Sequence, residues 1–226
     1  KKYEIKRREL NVTRRDTDFI LTTRELALMI KKNNIDFLHL DNSEFDSPLG
    51  LGSSAGVIFG NTGGVAEAAL RTAYHYITDE DLDDNSLTFS KVRGMSGIKE
   101  TEVIIGDKTI KVAVANGMKN AKILIDKIKS GTVNYQFVEV MNCTGGCIAG
   151  GGQPKLTLMD MKSDKKKRID GLYSEDSKMK KRVSYKNPDI IKIYKDFYGE
   201  VGSSLAHQYL HTKYTDKSYL LRGEDK

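Results

Sequence analysis

The stretch that most constrains this chain is Phe137-Val138-Glu139-Val140-Met141-Asn142-Cys143-Thr144-Gly145-Gly146-Cys147-Ile148-Ala149-Gly150-Gly151-Gly152-Gln153-Pro154. It carries both cysteines of the 226-residue chain, spaced C-x3-C, behind an apolar run and ahead of a proline. On one helical turn, their i and i+4 positions would put both sulfurs on the same face. The glycines around them let backbone approach whatever the sulfurs hold, because no Cβ stands in the way. The residues read as half of a metal or iron–sulfur site.

Two cysteines in a chain this long make no disulfide framework, and a bridge across so short a loop would stabilise little. The chain is long enough to bury a real core in one large domain or two small ones. Its 38% hydrophobic and 30% charged residues describe a globular protein on the polar side of ordinary. No apolar run reaches the roughly 18 residues of a membrane-spanning helix. The formal charge of +6 is concentrated near Lys1–Arg15 and Ser163–Lys186, with few aromatics between the charges. That pattern reads as solvated surface and argues against a nucleic-acid face.

Elements follow from local pattern. Thr17–Leu21 looks like a short strand. Thr22 and Glu25 are spaced as a capping box for a helix carrying Leu26, Met29 and Ile30 and stopped by Asn33-Asn34. A second glycine-rich stretch, Gly50–Gly64, precedes a helix that begins near Val65 and runs toward Ile77. Ile98–Ile105 and Thr109–Val114 form a hairpin around Gly106-Asp107-Lys108. A helix follows Gly117, with Ala121, Leu124, Ile125 and Ile128 on one face and Ser130-Gly131 at its end. Tyr135–Val140 is then a strand that delivers the cysteines at its carboxyl end, where α/β folds place their sites. Lys155–Lys186 is charged and weakly periodic. Asn187-Pro188-Asp189 caps a further helix, and Ser203-Ser204 starts another with Leu205, Tyr209 and Leu210. No linker divides the chain clearly.

Several chemistries compete for the motif. The Gly50–Gly64 stretch fits neither G-x-x-x-x-G-K-[ST] nor G-x-G-x-x-G, so close backbone approach suits it better than phosphate binding. Two thiolates cannot close a tetrahedral zinc site, whose other ligands would be histidine, carboxylate or cysteines elsewhere; of His39, His75, His207 and His211, the last two stand at i and i+4, but they lack the H-E-x-x-H pattern. A thioredoxin-like pair would need C-x-x-C at a helix start. Two small buried cysteines beside a glycine loop are the bland alternative.

The pattern Glu139-x-Met141-x-Cys143-x-Gly145-Gly146-Cys147-x-x-Gly150-Gly151-Gly152-Gln153-Pro154 resembles the third signature of the [FeFe]-hydrogenase catalytic domain. Other segments resemble that family too: Phe45-Asp46-x-Pro48-x-Gly50, Gly56–Gly60 with Thr62-Gly63-Gly64-Val65, Glu67–Arg71, Val92-Arg93-Gly94, Leu205-Ala206-His207, and His211-x-Lys213-Tyr214. Lys1-x-x-Glu4 is similar to the end of the second signature, M-P-C-x-x-K-x-x-E.

The resemblance implies an α/β fold, with mixed or parallel sheets flanked by helices and a C-terminal helical tail. Residues 1–154 would be a portion of the H-cluster domain, and residues 155–226 a small-subunit-like segment wrapped onto it. It implies reversible interconversion of two protons and two electrons with dihydrogen, at an H-cluster made of a [4Fe–4S] cubane and a two-iron subcluster. Cys143 would be a terminal cubane ligand and Cys147 the cysteine bridging to the two irons. Met141 would contact the cluster, Lys1 would hydrogen-bond a cyanide, and Phe59 would stand in the apolar wall. The first signature and the second signature's cysteine are missing, so this C-terminal portion alone is expected to be inactive and to hold the cluster incompletely or not at all. The implied partners are the preceding part of the catalytic domain, ferredoxin or an NAD(P)H-oxidising subunit, and cluster maturation proteins, in the cytoplasm, with no nucleic acid and no membrane span. Leu51, Asn142 and Ala66 depart from the family's common residues. They leave room for the alternative, a sensory or iron–sulfur assembly relative that keeps cysteines without evolving hydrogen, whereas the full glycine signature and Lys1 favour the enzyme.

Overall fold

The computed structural model describes residues 18–44, 46, 50–95, 97–157, 159, 161–211, 216 and 219. Lys1, Phe45, Pro48, Lys213 and Tyr214, on which parts of the resemblance rest, lie outside the described residues. Two compact units are present, Lys1–Glu44 with Ser53–Ser184, and Phe45–Gly52 with Tyr185–Lys226.

The first unit is built on a three-stranded mixed sheet, β1 (Ile98–Ile105), β2 (Lys108–Asn116) and β3 (Phe137–Met141), in that order. The expected hairpin is there: β1 and β2 pair antiparallel from Ile98↔Ala115 to Ile105↔Lys108. β3 runs parallel to β2, from Val112↔Phe137 to Asn116↔Met141. A parallel neighbour needs a crossover, and α4 (Met118–Lys129) supplies it. Gly131, at φ 71, follows its Ser130 C-cap as the sequence predicts.

The central strand is buried on both faces, and strand periodicity sorts its residues between two cores. Val112 and Val114 pack with Ala66, Leu70, Val92 and Ile105 under α3 (Gly64–Thr78). Ala113 and Ala115 pack with Ala121 and Leu124 of α4 on the other side. Small alanines on this second face let α4 lie close.

Three expectations are corrected. Residues 18–21 are not a strand; Phe19 is 88% exposed, and the chain runs extended into the N-cap of α1 (Thr23–Lys32). The capping box itself forms, with Thr22 Oγ1 accepting from Glu25 N–H and Glu25 accepting from Thr22 N–H. The charged stretch after Pro154 holds an 18-residue helix, α5 (Met161–Lys178), which weak periodicity conceals. Its buried residues are Ile169 and Asp176; the Asp176 carboxylate, 1% exposed, receives Arg71 Nη1 and Nη2 at 2.8 Å each, Oγ of Ser54 in the short α2 (Ser54–Val57) at 2.6 Å and Arg182 Nη2 at 2.9 Å. Arg71 also donates to Glu67 at 2.9 Å, one turn earlier on α3. Burial opposes ionisation of Asp176, yet the hydrogen bonds from Arg71, Ser54 and Arg182 outweigh it and hold the carboxyl down to about 2. The cysteines, third, do not share a helical turn.

The second unit contains α6 (Pro188–Ile193), a π-helical turn Tyr194–Tyr198 and α7 (Ser204–Leu210). Asn187 and Ser203 cap the two α-helices, as the sequence predicts. Asn187 Nδ2 also donates to Leu51 O at 2.6 Å, and Asp189 accepts from Leu51 N–H at 3.1 Å, which ties the two segments of this unit together.

Candidate functional site

Strand β3 ends at Met141 and hands the chain to the cysteine loop. Cys143 and Cys147 do not share a helical turn. Gly145 and Gly146 adopt φ 92° and 97°, so the helix cannot start until after them, and Cys147 opens a short 3-10 turn, Cys147–Ala149. Both thiols are exposed, and neither is in a disulfide. They nevertheless open onto one cleft of about 380 Å³, lined by Ile20, Leu21, Thr22, Thr23, Cys143, Cys147, Gly150, Gly152 and Gln153. The convergence of sulfurs is achieved by a turn.

The loop is pressed against the other glycine-rich stretch. A Cβ on Gly146 would stand 2.6 Å from Thr62 N and 2.8 Å from Gly60 O, backbone atoms that cannot yield. Thr62 N–H donates to Gly145 O at 3.2 Å. The Gly50–Gly64 stretch thus serves close backbone approach, its partner being the cysteine loop itself. Buried Thr62 Oγ1 and Asn61 Oδ1 make no hydrogen bond among the described residues.

Two residues hold this arrangement that sequence reasoning assigned no role. Asn116, the last residue of β2 and 4% exposed, donates Nδ2 to Cys143 O at 2.7 Å and accepts from Gly145 N–H at 3.3 Å. Glu139, buried in β3, accepts from Ala66 N–H at 2.9 Å and from Gly63 N–H, filling donors at the start of α3 that the helix leaves unpaired. The position of Glu139 in the signature was its only sequence signal. Asn116 had none beyond ending a strand. Lys99 lies near Glu139; burial pushes its ammonium down to about 8, with the Glu139 charge opposing the fall, and its Nζ donates to Gly94 O at 2.7 Å.

The remaining candidate residues are dispersed. Met141 is half-buried beside the loop, its carbonyl accepting from Gly117 N–H at 2.7 Å. Phe59 lies in the 3-10 turn Ile58–Gly60, 44% exposed, and does not line the cleft. Lys1 lies outside the described residues. His207 and His211 face each other, Nδ1 to Nδ1 at 2.9 Å, on the exposed side of α7.

Among the described residues, no three His, Cys, Asp or Glu side chains are grouped to hold a metal ion. What the cleft offers is two thiol sulfurs and flanking backbone. That donor set is soft and fits an iron–sulfur cluster as two of its ligands, with neither carboxylate nor imidazole among the described residues that line the cleft.

The family profile described as "Iron only hydrogenase large subunit, C-terminal domain" matches residues 1–151, and "Iron hydrogenase small subunit" matches residues 162–217. The NADP-reducing hydrogenase subunit HndD of Solidesulfovibrio fructosivorans is 44% identical over 225 residues, 97% of this chain and 37% of the relative. Protein NAR1 of Arabidopsis thaliana is 29% identical over 202 residues, 88% of this chain and 42% of the relative. A solved structure of HydA(deltaEFG), described as revealing stepwise [FeFe]-hydrogenase H-cluster assembly, superposes with a TM-score of 0.72 at 39% identity. It is covered over 60% of its length by 95% of this chain. The chain spans about two fifths of the length of these curated relatives. No helix among the described residues is long and apolar enough to cross a membrane.

Proposed function

The chain belongs to the iron-only hydrogenase large-subunit family, and from that premise we propose that it is the C-terminal portion of an [FeFe] hydrogenase interconverting protons and electrons with dihydrogen. The observation that carries this reading is the pair of exposed thiols opening onto one cleft from a glycine loop, with no histidine or carboxylate among the described residues that line it. Cys143 would be the terminal ligand of a [4Fe–4S] cubane, and Cys147 the ligand shared with a two-iron subcluster. When bound, that group would store and relay the electrons and supply the reactive metal. Met141 contacts it from the end of β3. By the family resemblance Phe59, although it does not line the cysteine cleft, would belong to the group's apolar surroundings, and Lys1 would hydrogen-bond an anionic ligand of the subcluster.

The chain's own contribution is placement. Asn116 fixes the carbonyl of Cys143 itself, and Gly146 lets the loop close against Thr62. Backbone amides and thiolates held this way tune a cluster's potential as well as its position. Two thiols leave a four-sulfur cage half built, so the remaining ligands come from the preceding part of the catalytic domain. Residues 155–226 form the small-subunit-like portion, which the second family match supports. Ferredoxin or an NAD(P)H-oxidising subunit exchanges the electrons, maturation proteins deliver the cluster, and the enzyme works in the cytoplasm.

The second reading, an iron–sulfur assembly or sensory relative, draws on the likeness to NAR1. Infrared spectroscopy separates the two. After maturation of the full-length protein, carbon monoxide and cyanide bands are expected, together with hydrogen evolution from a reduced low-potential dye. Their absence under conditions that load a control hydrogenase, with a four-iron signal still present, would replace the enzyme with the assembly relative.

A further inference from the structure

The loop that follows Cys147 has its carbonyls taken by two arginines that are far apart in sequence. Arg168, on α5, donates from Nη1 to Ile148 O at 2.6 Å and from Nη2 to Pro154 O at 3.1 Å. One planar guanidinium therefore bridges the two ends of the glycine loop. From the other side Arg24, in the first turn of α1, donates from Nη2 to Gly151 O at 2.7 Å, and its backbone N–H reaches Gly152 O at 3.2 Å. Among the described residues neither guanidinium pairs with a carboxylate; the acceptors of both are backbone carbonyls of the loop.

We propose that Arg168, backed by Arg24, is a positioning residue that clasps the Cys147 arm and biases the bound iron–sulfur group toward its reduced state. The second half rests on the iron–sulfur reading above; the first does not. A loop with three consecutive glycines has many alternative conformations, so Cys147 needs an external clamp to keep one direction. Arginine suits the task because its rigid fork can serve two carbonyls together, whereas lysine offers a single mobile point of charge. A cation near an iron–sulfur group stabilises the more negative, reduced form and so raises its potential.

Two substitutions in the full-length protein separate geometry from charge. Arg168→Lys keeps the charge and loses the fork; Arg168→Gln loses both. Hydrogen exchange of the peptide covering residues 148–154, followed by mass spectrometry, should accelerate about tenfold in both variants, since charge-assisted hydrogen bonds are lost in each. Residues 137–142 should exchange as in the wild type. Arg24→Gln, which leaves the Arg168 bridge in place, should give a smaller acceleration in the same peptide and serves if the Arg168 variants fold poorly. In a potentiometric titration followed by electron paramagnetic resonance, Arg168→Gln should lower the midpoint while Arg168→Lys stays near wild type. Unchanged exchange in all three variants would overturn the clasp, and a midpoint indifferent to Arg168→Gln would overturn the bias. Were the wild type to load no cluster at all, the iron–sulfur reading would fall while the exchange result still judged the clasp.

Discussion

Cys143 and Cys147 are four residues apart, yet different parts of the molecule hold them. The Cys143 arm grows out of the sheet: β3 carries it, and buried Asn116 at the end of the neighbouring strand grips its carbonyl. The Cys147 arm is held from outside the sheet, by Arg168 of α5 and Arg24 of α1. The first grip is a neutral amide in a dry place, and the second is a pair of cations bound to the loop's carbonyls. One arm therefore inherits the rigidity of a parallel strand pair. The other depends on whether α5 stays docked, and that rests on a buried ion network.

The harshest way to break this contrast is to free α5. Replacing Arg71 by Met leaves Glu67 and Asp176 buried without their common partner, a loss of about 3–5 kcal/mol. Chemical denaturation should register the drop, and hydrogen exchange should rise in residues 148–178 well before it rises in 112–116. Equal loosening of both arms would mean that they are not separately held.

Acid should do the same reversibly. The folded Asp176 carboxyl sits at about 2, below its ordinary 3.8. Its contribution is therefore complete above pH 4 and drains away as the pH falls through 2. The shift corresponds to about 2.5 kcal/mol. Asp176→Asn should be less stable at neutral pH but lose less between pH 4 and 2, as thermal melts across that range would reveal.

The smallest effect sharpens the comparison from the other side. Asn116→Ala removes the grip on Cys143 and leaves buried loop groups unpaired, at a cost of about 2 kcal/mol. Exchange should then accelerate in residues 142–146 and not in 148–154, the inverse of the pattern expected for Arg168→Lys.

How much of this was legible depends on range. The capping box at Thr22 and Glu25, the glycine stop of α4 and the caps at Asn187 and Ser203 are local donors and acceptors a few residues apart, so the sequence pattern found them. The hairpin was legible because alternation and a turn at Gly106 meet there. Helix α5 escaped because its anchors are Ile169, Asp176 and a few half-buried side chains, which leave no apolar stripe to read. The supposed strand at 17–21 was apolar enough, but β propensity describes a fit to neighbouring strands, and residues 18–21 have none.

For the site, the sequence by itself determined the chemistry: two soft donors at a fixed spacing, glycines where a Cβ would collide, and a signature specific enough to identify the family. Only the tertiary structure decided how those donors converge. Positive φ at Gly145 and Gly146 replaces the helical turn that spacing suggests, and the clamps come from residues 116, 24 and 168. The physical reason is that ligating power belongs to a side chain and can be read from its identity. Its direction is set by hydrogen bonds to backbone carbonyls, and every residue carries a carbonyl, so no local pattern marks which of them will be held.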